Sequence, residues 1–187
     1  MPLTKIQSLG ITDGTIVNAD INASAAIAGT KLSGAGITEA DQWRLTTSFT
    51  GDATPISLNW ERSDTYSTGY IGSGITQSSG IFTFPSTGYY LIIFKVYGSA
   101  TIAQLYHTAA IQVTTNNSTY NTASSGDLNY YGGTSYGSTS SQYIIDVTDI
   151  TNVKVRFTID AVGSSTSTLG NTNENQTAVT FIRLGDT

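Results

Sequence analysis

The stretch Gly80-Ile81-Phe82-Thr83-Phe84-Pro85-Ser86-Thr87-Gly88-Tyr89-Tyr90-Leu91-Ile92-Ile93-Phe94 decides the fold. Two apolar runs flank a Pro-x-x-Gly turn. Pro85 presets the backbone angle that a tight turn needs, and Gly88 permits a conformation other residues resist. Gly80 to Phe84 and Tyr89 to Tyr97 therefore read as two strands joined by that turn. Successive side chains of a strand point to opposite faces, so Tyr89 and Tyr90 must part company. The run from Tyr89 to Val96 is apolar almost throughout and needs cover on both faces. That cover comes from a second sheet and a loop, or from a neighbouring subunit. If one of the two tyrosines faces the core, the other is free for a subunit interface, which suits an amphipathic aromatic.

Outward from this stretch, further strand-like runs are separated by Gly, Ser, Asn and Asp clusters. They are Gln42 to Ser48, Ile56 to Arg62, Gly69 to Ile71, Ile102 to Thr114, Gln142 to Val147, Val153 to Ile159 and Ala178 to Leu184. In Val153-Lys154-Val155-Arg156-Phe157-Thr158-Ile159 every second residue is apolar, which gives one buried and one wet face. Many short strands without a long helical pattern predict an all-β chain, a jelly-roll β-sandwich.

The residues from Phe82 to Phe94 resemble the C1q/tumour-necrosis-factor-like trimeric jelly rolls. The family pattern has a Phe, five residues, a Gly and then alternating aromatics. Phe82 and Gly88 have that spacing, Tyr90 and Phe94 fall on aromatic positions, and Ile92 replaces the middle Phe. Thr177 to Leu184, with Phe181, resembles the family's final strand. Upstream, Asp64, Tyr70 and Ile75 depart from the pattern. The resemblance implies a ten-stranded jelly roll and a threefold axis. It makes Phe82, Phe84, Gly88, Tyr89, Tyr90, Phe94 and Phe181 candidates for knob core or subunit interface.

Before the knob the texture differs. Apolar residues recur at Ile6, Ile11, Ile16, Ile21, Ile27, Leu32 and Ile37, in steps of five, five, five, six, five and five. That period fits neither a helix nor a flat strand. Small residues and turn formers fill the gaps. One chain cannot bury such a row, whereas three chains round a common axis send each Ile or Leu inward. The competing reading is a flexible linker, favoured by Gly, Ser and Asn. Ile11-Thr12-Asp13-Gly14-Thr15-Ile16 and Ala26-Ile27-Ala28-Gly29-Thr30-Lys31-Leu32-Ser33-Gly34 also resemble repeats of phage fibre-like proteins. The expected organisation is a docking segment and repeat stalk over 1–40 and a C1q-like knob over 41–187.

Composition narrows the function. Charged residues are 11% of the chain, against roughly 25% in an average soluble domain. Net charge is −5, with eight basic residues scattered singly, so nucleic-acid binding has no electrostatic footprint. There is no Cys, hence no disulfide framework or thiolate metal site. No apolar stretch is long enough to span a bilayer or to serve as a signal peptide. The expectation is synthesis in a cytoplasm and exit by assembly or lysis.

Chemistry is hard to find in the sequence. The only His, His107, lies within a strand-like run on the same odd-even face as Leu105, Ala109 and Ile111, which favours a packed ring over a triad base. Glu61 with Asp64, and Asp146 with Asp149, read first as solvated turn residues rather than as a catalytic carboxylate pair. No oxygen-ligand cluster suggests a metal, and no cofactor is expected. One region stands out. Thr114 to Gln142 is long, polar and Tyr-rich, with Tyr120, Tyr130, Tyr131 and Tyr136 among Ser, Gly and Asn. Such a composition is that of adaptable binding loops, where Tyr faces stack on sugar rings. The alternative is that these rings pack on the knob or a neighbour. The Gly163 to Gln176 segment, polar and without aromatics, reads as a connection only.

These readings converge on a non-enzymatic, homotrimeric fibre or capsid-decoration protein of a phage virion. Residues 1–9 would dock on other virion proteins, and a host surface polysaccharide is a candidate partner of the knob. A secreted bacterial carbohydrate-binding lectin is the alternative from another class, and a polysaccharide-degrading enzyme the third. The stalk-then-knob combination, an analogy of architecture, favours the first.

Overall fold

A computed structural model describes residues 21, 36–66, 69–161, 163 and 165–187. Among the described residues there are twelve strands: β1 (Ala40–Leu45), β2 (Thr47–Thr50), β3 (Trp60–Arg62), β4 (Thr76–Ser78), β5 (Ile81–Thr83), β6 (Gly88–Ala100), β7 (Gln104–Thr114), β8 (Asn121–Tyr130), β9 (Ser135–Val147), β10 (Lys154–Ala161), β11 (Thr166–Asn171) and β12 (Ala178–Gly185). They form two antiparallel sheets. The larger runs β2-β11-β6-β12-β1-β3, with β9 also paired to β6, and the smaller runs β4-β5-β10-β7-β8. The chain is an all-β jelly-roll sandwich.

The deciding stretch folds as its pattern dictates. Along β6, Tyr90, Ile92, Phe94 and Val96 are buried while Tyr89 and Lys95 are exposed. Gly88 adopts φ 135°, and a Cβ there would lie 2.5 Å from the Gly185 carbonyl and 2.6 Å from the Arg183 Nε. Only glycine lets the turn approach the last strand so closely. Phe82 is the hub of the core. Its ring meets Trp60 at 5.3 Å, Phe157 at 5.2 Å, Phe181 at 5.6 Å and Trp43 at 5.9 Å between centroids. Phe84, Phe94 and Phe181 complete the cluster across both sheets. Burying each such ring stabilises the sandwich by roughly 1.5–3 kcal/mol.

Several expectations need correction. Among the described residues twelve strands are present where the resemblance implied ten. Gln42 to Ser48 is split, because β1 ends at Leu45 and β2 begins at Thr47. Of Ile56 to Arg62 only the last three residues are strand, since Asn59 adopts φ 63° and breaks the run. Gly69 to Ile71 contributes only a single bridge, Ile71 to Ala40. The Thr114 to Gln142 segment is not a long loop. It contains β8 and the first half of β9, held by cross-strand pairing with β7 and β6. The Gly163 to Gln176 segment likewise carries β11, which pairs with β2 and β6. Glu61 lies in β3 and not in a turn, while Asp64 follows the strand and stays 72% exposed. Both receive the Arg44 guanidinium, at 2.8 and 2.5 Å, and Arg44 is itself buried.

Of the stalk positions, Ile6, Ile11, Ile16, Ile27 and Leu32 lie outside the described residues. Ile21 and Ile37 are exposed in the single chain.

Candidate functional site

β6 sets the geometry of the knob. Its first residues lie beside the end of β12, through the Tyr89–Gly185 pair, and β1 enters at the same end, through Ala40 opposite Ile182. Its last residue, Ala100, pairs with Ser135. Ala100 is nine residue steps beyond Leu91, which is in line with Ala40. At a rise of about 3.3 Å per residue the far end is about 30 Å from where the chain enters. The β6–β7 connection and the β8–β9 turn meet at this far end, the tip of the knob.

The tip exposes apolar side chains. Tyr131 is 94% exposed, Leu105 79% and Ile102 57%. Tyr131 opens a turn through Gly132 and Gly133, both at positive φ, and the Ser135 hydroxyl donates to the Gly132 carbonyl at 2.9 Å. Between the two connections lies a cleft of about 400 Å³ bounded by Gln104, Leu105, Asn129 and Tyr131. The Asn129 amide donates to the Leu105 carbonyl and ties the two walls together.

Beneath the tip is a buried polar cluster. The His107 Nδ1 lies 3.0 Å from the Tyr130 hydroxyl and its Nε2 3.0 Å from the Thr168 hydroxyl. Burial pushes the His107 imidazole down to about 4 and the Tyr130 phenol up to about 12. The ring is therefore neutral near pH 7, with no exposed surface through which to meet a substrate. Its packing follows the odd-even reading for Ala109 and Ile111. Leu105 escapes that face because the β7–β8 register shifts between Gln104 and His107.

The four tyrosines expected to form one binding loop do not come together. Tyr130 is buried against His107. Tyr131 stands at the tip. Tyr136 lies on the outer face of the larger sheet, stacked on Tyr97 with centroids 6.1 Å apart. Tyr120 is half-buried under the Arg156 guanidinium at 4.2 Å, beside the smaller sheet. The length of β8 holds Tyr120 and Tyr130 at its opposite ends, Tyr131 lies in the turn that follows, and Tyr136 is on β9.

Of the knob candidates, Phe82, Phe84, Tyr90, Phe94 and Phe181 lie in the core, Gly88 is buried at the turn, and Tyr89 faces outward. The outer face of the larger sheet carries a row the sequence did not single out. Ile144, Leu91, Ile182 and Ala40 are successive cross-strand partners on β9, β6, β12 and β1. Ile144 is 54% exposed, and the other three are part-exposed. Leu184 and Tyr89 extend this apolar area. The signal was present only in the outward positions of β6, Tyr89, Leu91 and Ile93. Among the described residues no group of three His, Cys, Asp or Glu side chains gathers as for a metal ion.

Neither a protein-family profile nor a curated protein sequence matches the chain. Solved structures do share its architecture. Eiger TNF from S. frugiperda superposes with a TM-score of 0.59 at 13% identity, covering 79% of this chain and 93% of that one. Murine APRIL at pH 8.5 gives a TM-score of 0.56 at 14% identity, covering 78% of this chain and 98% of that one. At such identities the likeness carries the fold: this chain has a tumour-necrosis-factor-like jelly roll.

Proposed function

We propose that the chain is a non-enzymatic structural protein of a phage particle, a fibre or capsid-decoration subunit that assembles as a homotrimer and displays its knob outward. The observation that carries self-association is the apolar row Ile144–Leu91–Ile182–Ala40 across four strands of one sheet face. Left wet, such a row costs free energy that burial against neighbouring copies round a threefold axis removes. The chain enters the sandwich at one end and Tyr131, Leu105 and Ile102 stand at the other, a layout that suits a displayed knob meeting a host surface. The repeats at Ile11 to Ile16 and Ala26 to Gly34, similar to those of phage fibre-like proteins, support the placement on a virion, with residues 1–9 as the docking segment.

The test is the mass of the full chain in solution by sedimentation or light scattering. Three copies are expected at micromolar concentration, and Leu91→Glu or Ile182→Glu should shift the mass to one copy while leaving the β-sheet circular dichroism intact. A wild-type monomer would overturn the reading of the row. Imaging of purified particles at a resolution that traces the chain tests the placement, and particles lacking this knob would remove it.

A further inference from the structure

The outer face of the smaller sheet, on the opposite side of the sandwich from the apolar row, carries a polar groove of about 400 Å³. Its floor is built from a strand pair. Thr158 on β10 lies opposite Ala110 on β7, and both are only 6% exposed. One step along, Asp160 lies opposite Thr108. The segment before Pro55 forms a wall, because Ala53 bridges to Ile159 and so sets Asp52 beside the floor.

The polar groups of this groove fall into two kinds. Some are already engaged and held in place. The Asp52 carboxylate accepts the Ala161 N–H at 2.7 Å through one oxygen. Gln112 accepts from Arg156 at 2.8 Å and donates to the Thr122 hydroxyl at 3.3 Å. The Thr108 hydroxyl donates to Asp127 at 2.5 Å. Others have no partner among the described residues: the Thr158 hydroxyl and the Asp160 carboxylate, both lining the groove. A hydroxyl on a residue more than nine-tenths buried, turned into an open groove and lacking a protein partner, is a vacant hydrogen-bonding position.

We propose that this groove binds a neutral saccharide. The carboxylates of Asp52 and Asp160 accept hydrogen bonds from sugar hydroxyls, the charge-assisted kind that is stronger than a neutral pair. Thr158 both donates and accepts. Ala110 is small enough to leave room and offers a methyl surface to the C–H face of a ring. Among the described residues no Lys or Arg lines the groove, and the neighbouring Arg156 is turned onto Tyr120, so an anionic ligand meets two carboxylates and no compensating charge. Pockets of this size, with a few convergent polar groups, suit small ligands. The inference does not depend on the trimer or on the particle, because the groove belongs to one chain.

The experiment is a binding titration of the full chain. The probes are neutral trisaccharides of glucose, galactose, mannose and N-acetylglucosamine, with a sialylated and a sulfated oligosaccharide as anionic controls. Saturable binding to at least one neutral probe is expected. Thr158→Val and Asp160→Asn should each weaken it about tenfold, the loss of one hydrogen bond to a charged or buried partner. Tyr66→Ala, at an exposed side chain outside the groove, should leave it unchanged. Asp160 is exposed, so its variant tests the groove even if Thr158→Val unfolds the chain. Absence of binding to every neutral probe, preference for the anionic probes, or binding indifferent to Asp160→Asn would overturn the proposal.

Discussion

The Nδ1 of His107 and the hydroxyl of Tyr130 stand 3.0 Å apart, a contact made across two paired strands inside the tip. Because burial holds His107 down to about 4, against 6.5 in an unfolded chain, the folded state resists taking up a proton that the unfolded state accepts. The stabilisation is fully present above pH 6.5 and is lost as pH falls from there to about 4, by at most ~1.4 kcal/mol per pH unit. Thermal midpoints of wild type and His107→Gln should converge over that window, since the variant lacks the titrating ring. Parallel curves would show that the ring is not held neutral.

Gly98 faces the same pair. A Cβ there would lie 2.4 Å from the Tyr130 oxygen and 2.7 Å from the His107 ring. Gly98→Ala should therefore destabilise the knob by about 1–3 kcal/mol through overpacking. Tyr130→Phe, which removes the obstructing oxygen, should recover part of that loss in the double variant. Chemical denaturation of the four proteins measures the coupling, and strict additivity would contradict the contact.

Adjacent tyrosines should behave oppositely. Tyr130 is 3% exposed and Tyr131 94%. Tyr130→Ala should cost about 3–5 kcal/mol as a large-to-small change in a packed site. Tyr131→Ala should leave stability within about 0.5 kcal/mol, as for an exposed surface position. For the particle proposed above, cell adsorption with Tyr131→Ala is then a clean assay of the tip, whereas Tyr130→Ala would confuse binding with folding.

Arg44 allows a similar contrast. Its guanidinium is buried while the side chains of its partners Glu61 and Asp64 are 31% and 72% exposed. Arg44→Ala should cost about 2–4 kcal/mol, because it empties a packed site and strands Glu61. Asp64→Asn should cost under about 1 kcal/mol, since water already solvates that carboxylate. Urea midpoints distinguish the two, and equal losses would mean that the exposed partner is as important as the half-buried one.

The sandwich was legible wherever apolar alternation was strong. Phe82 to Phe94 and Val153 to Ile159 declare their faces outright. β8 and β11 were not legible, because Asn121 to Tyr130 and Thr166 to Asn171 are rich in Ser, Thr, Asn and Gly, and they extend only because β7 and β6 present a ladder to pair with. The length of the supposed loop was the missed clue: a structureless stretch beyond about 20 residues in a compact domain argues against itself. The groove was invisible for another reason. Asp52, Thr108, Thr158 and Asp160 come from one connection and two strands, and only the register of β10 on β7 together with the Ala53–Ile159 bridge sets them side by side. The row Ile144–Leu91–Ile182 likewise needs three strands in register before it becomes a surface.

The thirteen-residue ladder between β6 and β9, running from Gly88–Val147 to Ala100–Ser135 without a slip, has a mechanical meaning. A pull between Ala40 and Tyr131 acts along the strand axes. The backbone bonds joining the two strands then share that load in shear instead of parting one after another like a zip. A knob tugged at its far end while held at its near end is, by this construction, a stiff link in the line of force.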